Sequence, residues 1–226
     1  MTLDEQLVRY AKDLARIYTA RERTESAWGE TLIALLERRI PLLKGHHRRV
    51  AFWSQHLNQA LGTPLPPKTL VQAALLHDVG LLALPDAIVQ DWAEAVSEKR
   101  LPNPYTRERF VAHAKIGGEV LSRLPGFEEA ADWIRHHHDA WSRGYAESGL
   151  HGEAIPLGAR ILAVAEVFDY FTHLQKRLSL PAARERLQSL AAKRLDPQLV
   201  QAFLELPLEA LLENFRWVQA HEGLDY

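Results

Sequence analysis

The sequence predicts an all-α fold. Apolar residues recur every three or four positions along most of the 226 residues, which is the period of a helix that buries one face. We find no segment in which apolar and polar residues alternate as in a half-buried strand, and no internal repeat or low-complexity segment. Breaks rich in proline or glycine, such as residues 62–67, divide the chain into separate helices. At this length we expect one sizeable domain, or a domain with a helical extension.

The N-terminal part of the chain is predicted to be a helical extension. A long or broken pair of helices is expected to end near Pro41. Residues 1–40 then form the extension, and residues 41–226 form the main domain. The apolar stripe that predicts this extension follows helical spacing and consists of Leu7, Tyr10, Leu14, Ile17, Trp28, Leu32, Leu35 and Leu36.

Prolines, glycines and loops delimit the helices of the main domain. Gly62 ends a helix that starts near His46, Gly80 ends or bends a nearly all-apolar helix, and Pro85 opens a short amphipathic one. Residues 97–105 and 141–156 are predicted loops. The expected helices cover residues 46–61, 69–77, 85–92, 107–124, 127–138 and 157–177, and the last helices start near Pro181 and Pro197.

The composition excludes several functional classes. A formal net charge of -2 argues against a dedicated nucleic-acid binder, which would carry a basic excess, so no duplex partner is expected. Because there are no cysteines, disulfides, thiolate metal sites and cysteine nucleophiles are excluded. We find neither a signal peptide nor an apolar run long enough to span a bilayer. A cytoplasmic protein without a membrane span is therefore expected.

His77 and Asp78 stand at the end of the nearly all-apolar helix. A buried histidine is usually a hydrogen-bonded core residue, but a buried aspartate beside it costs free energy unless it is paired or bound to a metal. Taken alone, the pair favours a metal site and a structural role equally. His113, taken alone, is more typical of an ordinary histidine on a helix surface.

Two further groups of residues carry candidate metal ligands. Residues 136–139 read His-His-His-Asp, and successive helical residues rotate by about 100°, so two of the histidines can converge only at a helix end. The alternative is a solvated helix terminus. Glu166 and Asp169 are three residues apart and share one side of an apolar helix, whose exposed edge is the alternative. Together, these groups favour a two-metal centre with imidazole and carboxylate ligands.

Residues 74–88, which read ALLHDVGLLALPDAI, resemble the core signature of HD-GYP domains. These domains are a branch of the HD superfamily of metal-dependent phosphohydrolases. The resemblance covers about residues 31–204. Its motifs occur in the family's order, at residues 45–51, 74–88, 113–117, 134–141, 144–145 and 152–169.

The resemblance implies an HD-domain helical bundle that hydrolyses cyclic di-GMP, a bacterial second messenger, or another phosphate ester. It further implies two divalent metal ions, with iron or manganese expected and zinc or nickel as alternatives. A hydroxide that bridges the metals would attack the phosphodiester. Asp78 is implied as the catalytic bridge between the metals. The implied metal ligands are His46, His77, Asp78, His113, His137, His138 and Glu166.

The chain departs from the family pattern at several positions. Leu81 stands where the family has a lysine near the phosphate, and Glu166 replaces an aspartate. Of the motif that gives the family its name, only Gly144 and Tyr145 are kept. The residues expected to contact substrate are Arg143 and, out of register with the family, Lys176 and Arg177.

These departures leave two functions open. One is a metal-dependent phosphodiesterase. The other is a degenerate, catalytically weak or silent domain that binds other signalling proteins. Retention of the histidine and aspartate ligands favours the enzyme, because a purely structural domain has no physical need for buried unpaired imidazoles. The N-terminal extension resembles the helical connector that joins sensor domains to this type of domain. The protein is therefore expected to act alone or to form a homodimer through that helix.

Overall fold

The computed structural model describes residues 27–145, 150–174 and 178–221. Within these ranges the chain consists of helices and turns without a β-strand, which confirms the predicted all-α class. Helix α1 occupies residues 27–39. The helices that follow are α2 (His46–Ala60), α3 (Pro67–Leu76), α4 (Asp86–Ser97), α5 (Pro104–Phe110), α6 (Ala112–Leu121), α7 (Glu128–His136), α8 (Leu157–Asp169), α9 (Leu180–Leu190), α10 (Pro197–Leu204) and α11 (Leu208–His221).

Prolines and one asparagine set where several helices begin. Pro67 lies in the first turn of α3, two residues before the predicted start of that helix. Proline is tolerated there because the first N–H groups of a helix have no partner within the helix. At α5, the Asn103 side chain accepts a hydrogen bond from the N–H of Thr106 at 2.8 Å, and Pro104 follows it. This cap starts the helix earlier than the predicted residue 107.

The prediction of one continuous helix over residues 107–124 is wrong. Helix α5 ends at Phe110, and α6 runs from Ala112 to Leu121. In an uninterrupted helix the Phe110 carbonyl would accept from the N–H of Ala114. Here it accepts from Nδ1 of His113 at 2.7 Å, and the N–H of Ala114 bonds the carbonyl of Val111 instead. The His113 side chain thus replaces one bond of the helical ladder.

The segment predicted as a helix over residues 157–177 is α-helical only to Asp169. A π-helical turn, Tyr170–Leu174, continues it, and the hydroxyl of Thr172 donates to the carbonyl of Phe168 at 2.8 Å. Residues 175–177 lie outside the described ranges. The predicted loop 141–156 contains two short 3₁₀ turns, Arg143–Tyr145 and Gly152–Ala154.

The main core lies where α2 packs against α3 and α8. Its centre is aromatic: the rings of Trp53, Phe168 and Phe203 are all buried, with centroids 4.9–5.8 Å apart. Edge-to-face contacts at such distances stabilise the aromatic pairs beyond their burial alone. This core holds α2 and α8 side by side, and both helices carry candidate ligands.

A second apolar cluster joins α1 to the 3₁₀ turn Val79–Ala83. Leu81, at the position of the family's lysine, is fully buried there against Leu36 and Ile40. The guanidinium of Arg39 donates to the carbonyls of Leu81 and Leu84, each at 2.5 Å. Leu81 therefore contributes packing to the apolar cluster and supplies no charge. Ile33 of α1 belongs to the main core, and the division of the chain at residue 40 stays a prediction.

None of the described helices has both the length and the apolar character that a membrane crossing requires.

Candidate metal centre

All the side chains predicted as metal ligands converge around Asp78. His46 opens α2, and His77 and Asp78 follow α3 directly. His113 lies in the first turn of α6, and His137 and His138 follow α7. Glu166 lies in the last turn of α8. Helices from distant parts of the chain thus bring together the imidazoles and carboxylates that the sequence singled out.

Gly45 and Glu37 fix the start of α2 and thereby the position of His46. Gly45 has a φ of 73°, a left-handed conformation in which glycine carries no penalty from a side chain. Its N–H donates to Oε1 of Glu37 at 3.0 Å. The chain therefore turns sharply into α2 and places His46 in the first turn, facing the centre.

The Asp78 carboxylate faces imidazoles on both of its oxygens. Oδ2 lies 3.3 Å from Nε2 of His77 and 3.6 Å from Nε2 of His46. Oδ1 lies 3.1 Å from Nε2 of His113. The two nitrogens that face Oδ2 are themselves 3.3 Å apart. This arrangement suits a carboxylate that bridges two cations.

Backbone carbonyls determine which ring nitrogen faces the centre. Because a carbonyl only accepts, each Nδ1 that bonds one must carry a proton, so in the neutral ring the lone pair is on Nε2. The Nδ1 atom of His77 donates at 2.8 Å, that of His113 at 2.7 Å and that of His137 at 2.6 Å. The three acceptors are the carbonyls of Ala74, Phe110 and Ile134.

A second group of ligand atoms lies towards the solvent. Oε2 of Glu166 is 3.9 Å from Nε2 of His137 and 3.8 Å from Nδ1 of His138. The side chains of Glu166 and His138 are 21% and 22% exposed, whereas those of His46 and His77 are at most 2% exposed. Among the described ligands, the centre is therefore open on the side of Glu166 and His138.

Asp169 supports the centre from behind. Its Oδ2 lies 2.7 Å from Nδ1 of His46, which fixes that ring so that Nε2 faces Asp78. Its Oδ1 accepts from Nε of Arg49 at 2.6 Å and lies 3.0 Å from Nδ1 of His173. A carboxylate behind a ligand histidine orients the ring and raises its basicity.

Burial and neighbouring charges shift the pKa values of the centre in opposite directions. Burial alone would lower the pKa of His77, but the Asp78 carboxylate outweighs it and raises the pKa to about 9. Burial lowers the pKa values of His137 and His138 well below the usual range, and it raises that of Glu166. Burial would also raise the pKa of Asp78, but the charge of His77 and the other imidazoles that face the carboxylate hold it well below its ordinary value.

The donor set fits divalent metal ions. The Nε2 atoms of His113, His137 and His138 are buried and make no hydrogen bond, which is costly unless a cation takes their lone pairs. Two ligand atoms about 2.1 Å from one ion lie about 3.0–3.4 Å apart, close to the spacing around Asp78. Three groups have ligand atoms within 4.8 Å of one another: His46–His77–Asp78, His113–His137–His138 and His77–His137–Glu166.

Of the other candidates from the sequence, His136 and Arg143 have partners outside this cluster. Nδ1 of His136 is 2.8 Å from Asp139, which leaves His137 and His138 as the pair at the centre. Arg143 is exposed and donates to Nε2 of His151 at 3.1 Å. Lys176 and Arg177 lie outside the described residues.

His47 had no role in the sequence-based prediction, and the pairing of Arg49 with Asp169 behind His46 was not predicted. Asp169 was paired with Glu166 on one helix side, yet it faces Arg49 and His46 rather than the ligand cluster. His47 is fully buried beside Asp78, and burial lowers its pKa to about 4. The signals available were the unusual His-His pair at residues 46–47 and the i, i+3 spacing of the two acids.

Comparisons with curated proteins identify several relatives. A cyclic di-GMP phosphodiesterase of Thermotoga maritima is 30% identical over 73% of this chain, and the cyclic di-GMP phosphodiesterase response regulator RpfG of Xanthomonas campestris is 33% identical over 70%. A 3'3'-cGAMP-specific phosphodiesterase of Vibrio cholerae is 28% identical over 71%. The matches span 44%, 42% and 30% of these relatives, so the chain corresponds to less than half of each.

Solved structures share the fold. A cyclic GMP-AMP specific phosphodiesterase of V. cholerae superposes with a TM-score of 0.57 at 24% identity, over 84% of this chain and 50% of that one. The HD domain of the L. monocytogenes phosphodiesterase PgpH, solved in complex with cyclic di-AMP, gives a TM-score of 0.54 at 12% identity, over 87% and 100%. At these identities the likeness concerns the fold.

The family model that describes the HD domain matches residues 30–199. This range contains every predicted metal ligand and the aspartate behind them. It also covers most of the 226 residues. With the fold and the convergent histidines already established, this chain belongs to the HD domain family.

Proposed function

We propose that this chain is a metal-dependent phosphodiesterase that hydrolyses a cyclic dinucleotide. The observation that carries the proposal is the Asp78 carboxylate, whose two oxygens face separate sets of buried imidazole nitrogens. Such a carboxylate can bridge two cations, which is the arrangement that phosphoester hydrolysis uses. The substrate class follows from the names of the relatives, which act on cyclic di-GMP or 3'3'-cGAMP.

The ligand atoms divide into two sets that share Asp78. His46, His77 and Oδ2 of Asp78 would hold one ion, and His113, His137, His138 and Oδ1 of Asp78 would hold the other, with Glu166 on the solvent side. Two divalent ions supply acidification of water and neutralisation of the charge that develops on a phosphodiester. Nitrogen and oxygen ligands of this mixture suit iron or manganese, and zinc or nickel also fit.

The protein's own groups prepare the site for this chemistry. Backbone carbonyls and Asp169 fix the ligand rings before substrate arrives, so little reorganisation is needed during the reaction. Burial and the nearby Glu166 raise the pKa of Tyr170 to about 12. Its hydroxyl therefore keeps its proton at neutral pH and remains a hydrogen-bond donor at the end of α8.

The alternative, a silent domain that only binds signalling proteins, is not favoured. Its support came from the loss of the family's lysine, the replacement of an aspartate by Glu166 and the eroded name motif. Leu81, however, packs in an apolar cluster, and Glu166 stays in one ligand group with His77 and His137, so the ligand set is intact. A homodimer through residues 1–40, a signalling partner and a cytoplasmic location stay predictions, and residues 1–26 lie outside the described ranges.

Metal content and hydrolysis together test the proposal. Protein purified without chelator should contain close to two equivalents of iron or manganese and should hydrolyse cyclic di-GMP or bis-p-nitrophenyl phosphate. His77→Ala and Asp78→Ala should each lose most of the metal and at least about a hundredfold in rate, because Asp78 is shared by both sets and His77 belongs to two of the three ligand groups.

His56→Ala is the matched control, because His56 also lies on α2 but bonds the carbonyl of Phe52 instead of facing the centre. It should keep the metal content and rate of the unmodified protein. A well-folded protein without metal, or full activity in Asp78→Ala, would refute the proposed function. Activity on the simple diester but none on cyclic dinucleotides would refute the substrate class alone.

A further inference from the structure

His47 is a buried histidine next to the ligand His46. Its side chain is fully buried, and neither ring nitrogen has a hydrogen-bond partner that meets normal geometry. Leaving both nitrogens of a buried imidazole unpaired costs free energy that an apolar side chain there would not cost. Leucine or phenylalanine would fill the same volume, so packing alone does not explain a histidine at this position.

The nearest acidic contact of this ring is the proposed metal bridge. Nε2 of His47 lies 3.4 Å from Oδ2 of Asp78, and the ring packs 5.3 Å from that of His46 and 5.4 Å from that of His77, between centroids. This distance is longer than the roughly 2.9–3.0 Å of a standard N–H···O bond, so the contact is a close approach rather than a well-formed hydrogen bond.

The tautomer of His47 differs from that of the ligand rings. His77, His113 and His137 each donate Nδ1–H to a carbonyl, so their neutral rings have the lone pair on Nε2. Nδ1 of His47 has no hydrogen-bond acceptor in the described part of the chain. Next to a carboxylate oxygen, the favoured neutral tautomer therefore carries its proton on Nε2, where it is a donor and not a metal ligand.

We propose that His47 is a positioning residue, which donates Nε2–H to Oδ2 of Asp78 and holds that carboxylate across the two ligand sets. The inference rests on the proposed metal centre and assigns a role to a histidine that is not among the predicted metal ligands. Oδ2 also faces His46 and His77, so a carboxylate free to rotate would leave one of its oxygens away from its ligand set. Hydrogen bonds to ligand carboxylates commonly change metal affinity by about 10–100-fold.

Two variants separate the hydrogen bond from the volume of the ring. His47→Leu fills the space without a donor, and His47→Gln keeps an N–H donor. Apo protein would be titrated with Mn²⁺ alone, and the thermal unfolding of the apo form would be recorded in parallel. We expect His47→Leu to bind Mn²⁺ about 10–100-fold more weakly, while the apo form unfolds at the same or a higher temperature. His47→Gln should recover most of the affinity.

His56→Leu on the same helix is the control and should bind Mn²⁺ like the unmodified protein, because His56 bonds the carbonyl of Phe52. If His47→Leu does not fold, His47→Phe gives the same comparison. Equal affinity in the folded Leu or Phe variant would overturn the role of His47. X-ray absorption that shows one imidazole fewer around the metal in His47→Gln would also overturn it, in favour of direct ligation. If the unmodified protein binds no Mn²⁺, the proposed centre itself fails.

Discussion

Asp169 shows how one residue can serve both the fold and the metal centre. Its two oxygens contact Arg49, His46 and His173, and the side chain is fully buried. Burial would raise the pKa of Asp169, but hydrogen bonds from His173 and His46 and the charge of Arg49 hold it well below its usual range. The residue is therefore ionised at neutral pH, and it balances a buried guanidinium while it orients a ligand ring.

Asp169→Asn should weaken both stability and metal binding. The amide leaves the buried Arg49 without its counter-charge, which should cost on the order of 3 kcal/mol, measured by urea unfolding of the apo protein. Because the His46 ring loses its fixed orientation, metal affinity should fall by about 10–100-fold.

Asp196→Asn is the matched control for this substitution. Asp196 is also buried and pairs with Arg160 at 2.7 Å, but it lies outside the ligand cluster. It should lose stability and keep its metal affinity. Equal metal affinity in both variants would show that Asp169 does not orient His46.

Single site residues could be predicted where their residue type pointed to metal binding. They could not be predicted where only their burial in the folded protein marks them. His77 and Asp78 stood out because an acid ends an apolar helix. His113 alone was more typical of a surface histidine, yet it is fully buried, because the partners that bury it come from α7 and the turn after α3. Such long-range contacts leave no local trace in the sequence.

Among the elements, the 3₁₀ turn Val79–Ala83 packs closely against α6 and sets the distance between Asp78 and His113. Gly80 makes this approach possible. A Cβ atom there would lie 2.0 Å from the carbonyl oxygen of His113 and 2.7 Å from the amide nitrogen of Gly117. Both are backbone atoms, so no side-chain rotation could relieve the overlap.

Gly80→Ala should push α6 away from the turn. We expect a loss of about 2–3 kcal/mol in the free energy of unfolding, together with weaker metal binding, because His113 moves away from Asp78. Chemical unfolding and metal titration of the same samples would measure both effects.

Gly29→Ala provides the contrast, since a Cβ atom there meets no atom within 4 Å. In the first described turn of α1 this change should stabilise the protein by up to about 0.5–1 kcal/mol and leave the metal affinity unchanged. Normal stability and metal binding in Gly80→Ala would mean that the turn and α6 are less tightly coupled than their contact indicates.

Helix starts were easier to predict than helix interruptions. Proline marks the predicted starts of α9 and α10, and its effect is local. The interruption between α5 and α6 depends on the His113 ring, which donates to the Phe110 carbonyl in place of a backbone N–H. The π-helical turn after Asp169 involves the Thr172 hydroxyl, which donates to the Phe168 carbonyl. Periodicity alone does not show either event.

For the whole molecule, the ligand cluster ties together parts of the chain that are far apart in sequence. His46 and Asp169 are in contact although 123 residues separate them. The aromatic core fixes α2 against α8, and the ligand rings extend from the edge of that core. Metal binding and folding should therefore be coupled.

The proton on His77 makes this coupling depend on pH. Without metal, the raised pKa of about 9 keeps His77 protonated at neutral pH. Since Nδ1 already donates to the Ala74 carbonyl, the added proton sits on Nε2, the atom that an ion needs. The ion must displace this proton at any pH below about 9, so affinity rises with pH.

Between about pH 6 and 8, the affinity of apo protein for Mn²⁺ should increase about tenfold per pH unit from this proton alone. Calorimetry in buffers with different heats of ionisation would count the protons released. An affinity independent of pH, with no proton released, would contradict the proposed role of Nε2 of His77.

The overall architecture could be predicted from the sequence, because the helical period and the order of the motifs can be read without knowledge of tertiary contacts. The supporting residues could not be predicted. Arg49 and Asp169 form an ion pair although 120 residues separate them, and the sequence around each residue does not indicate its partner. His47 was overlooked because the adjacent His46 already explained the motif.

The unequal exposure of the ligand side chains sets the side from which an ion can enter or leave the centre. His46 and His77 are sealed behind Asp78, whereas Glu166 and His138 meet the solvent. Among the described ligands there is one opening to the solvent, so an ion that reaches His46 and His77 would have to pass Glu166 and His138. If ions bind as proposed, the inner one would be loaded first and emptied last, and the outer one would shield it from chelators.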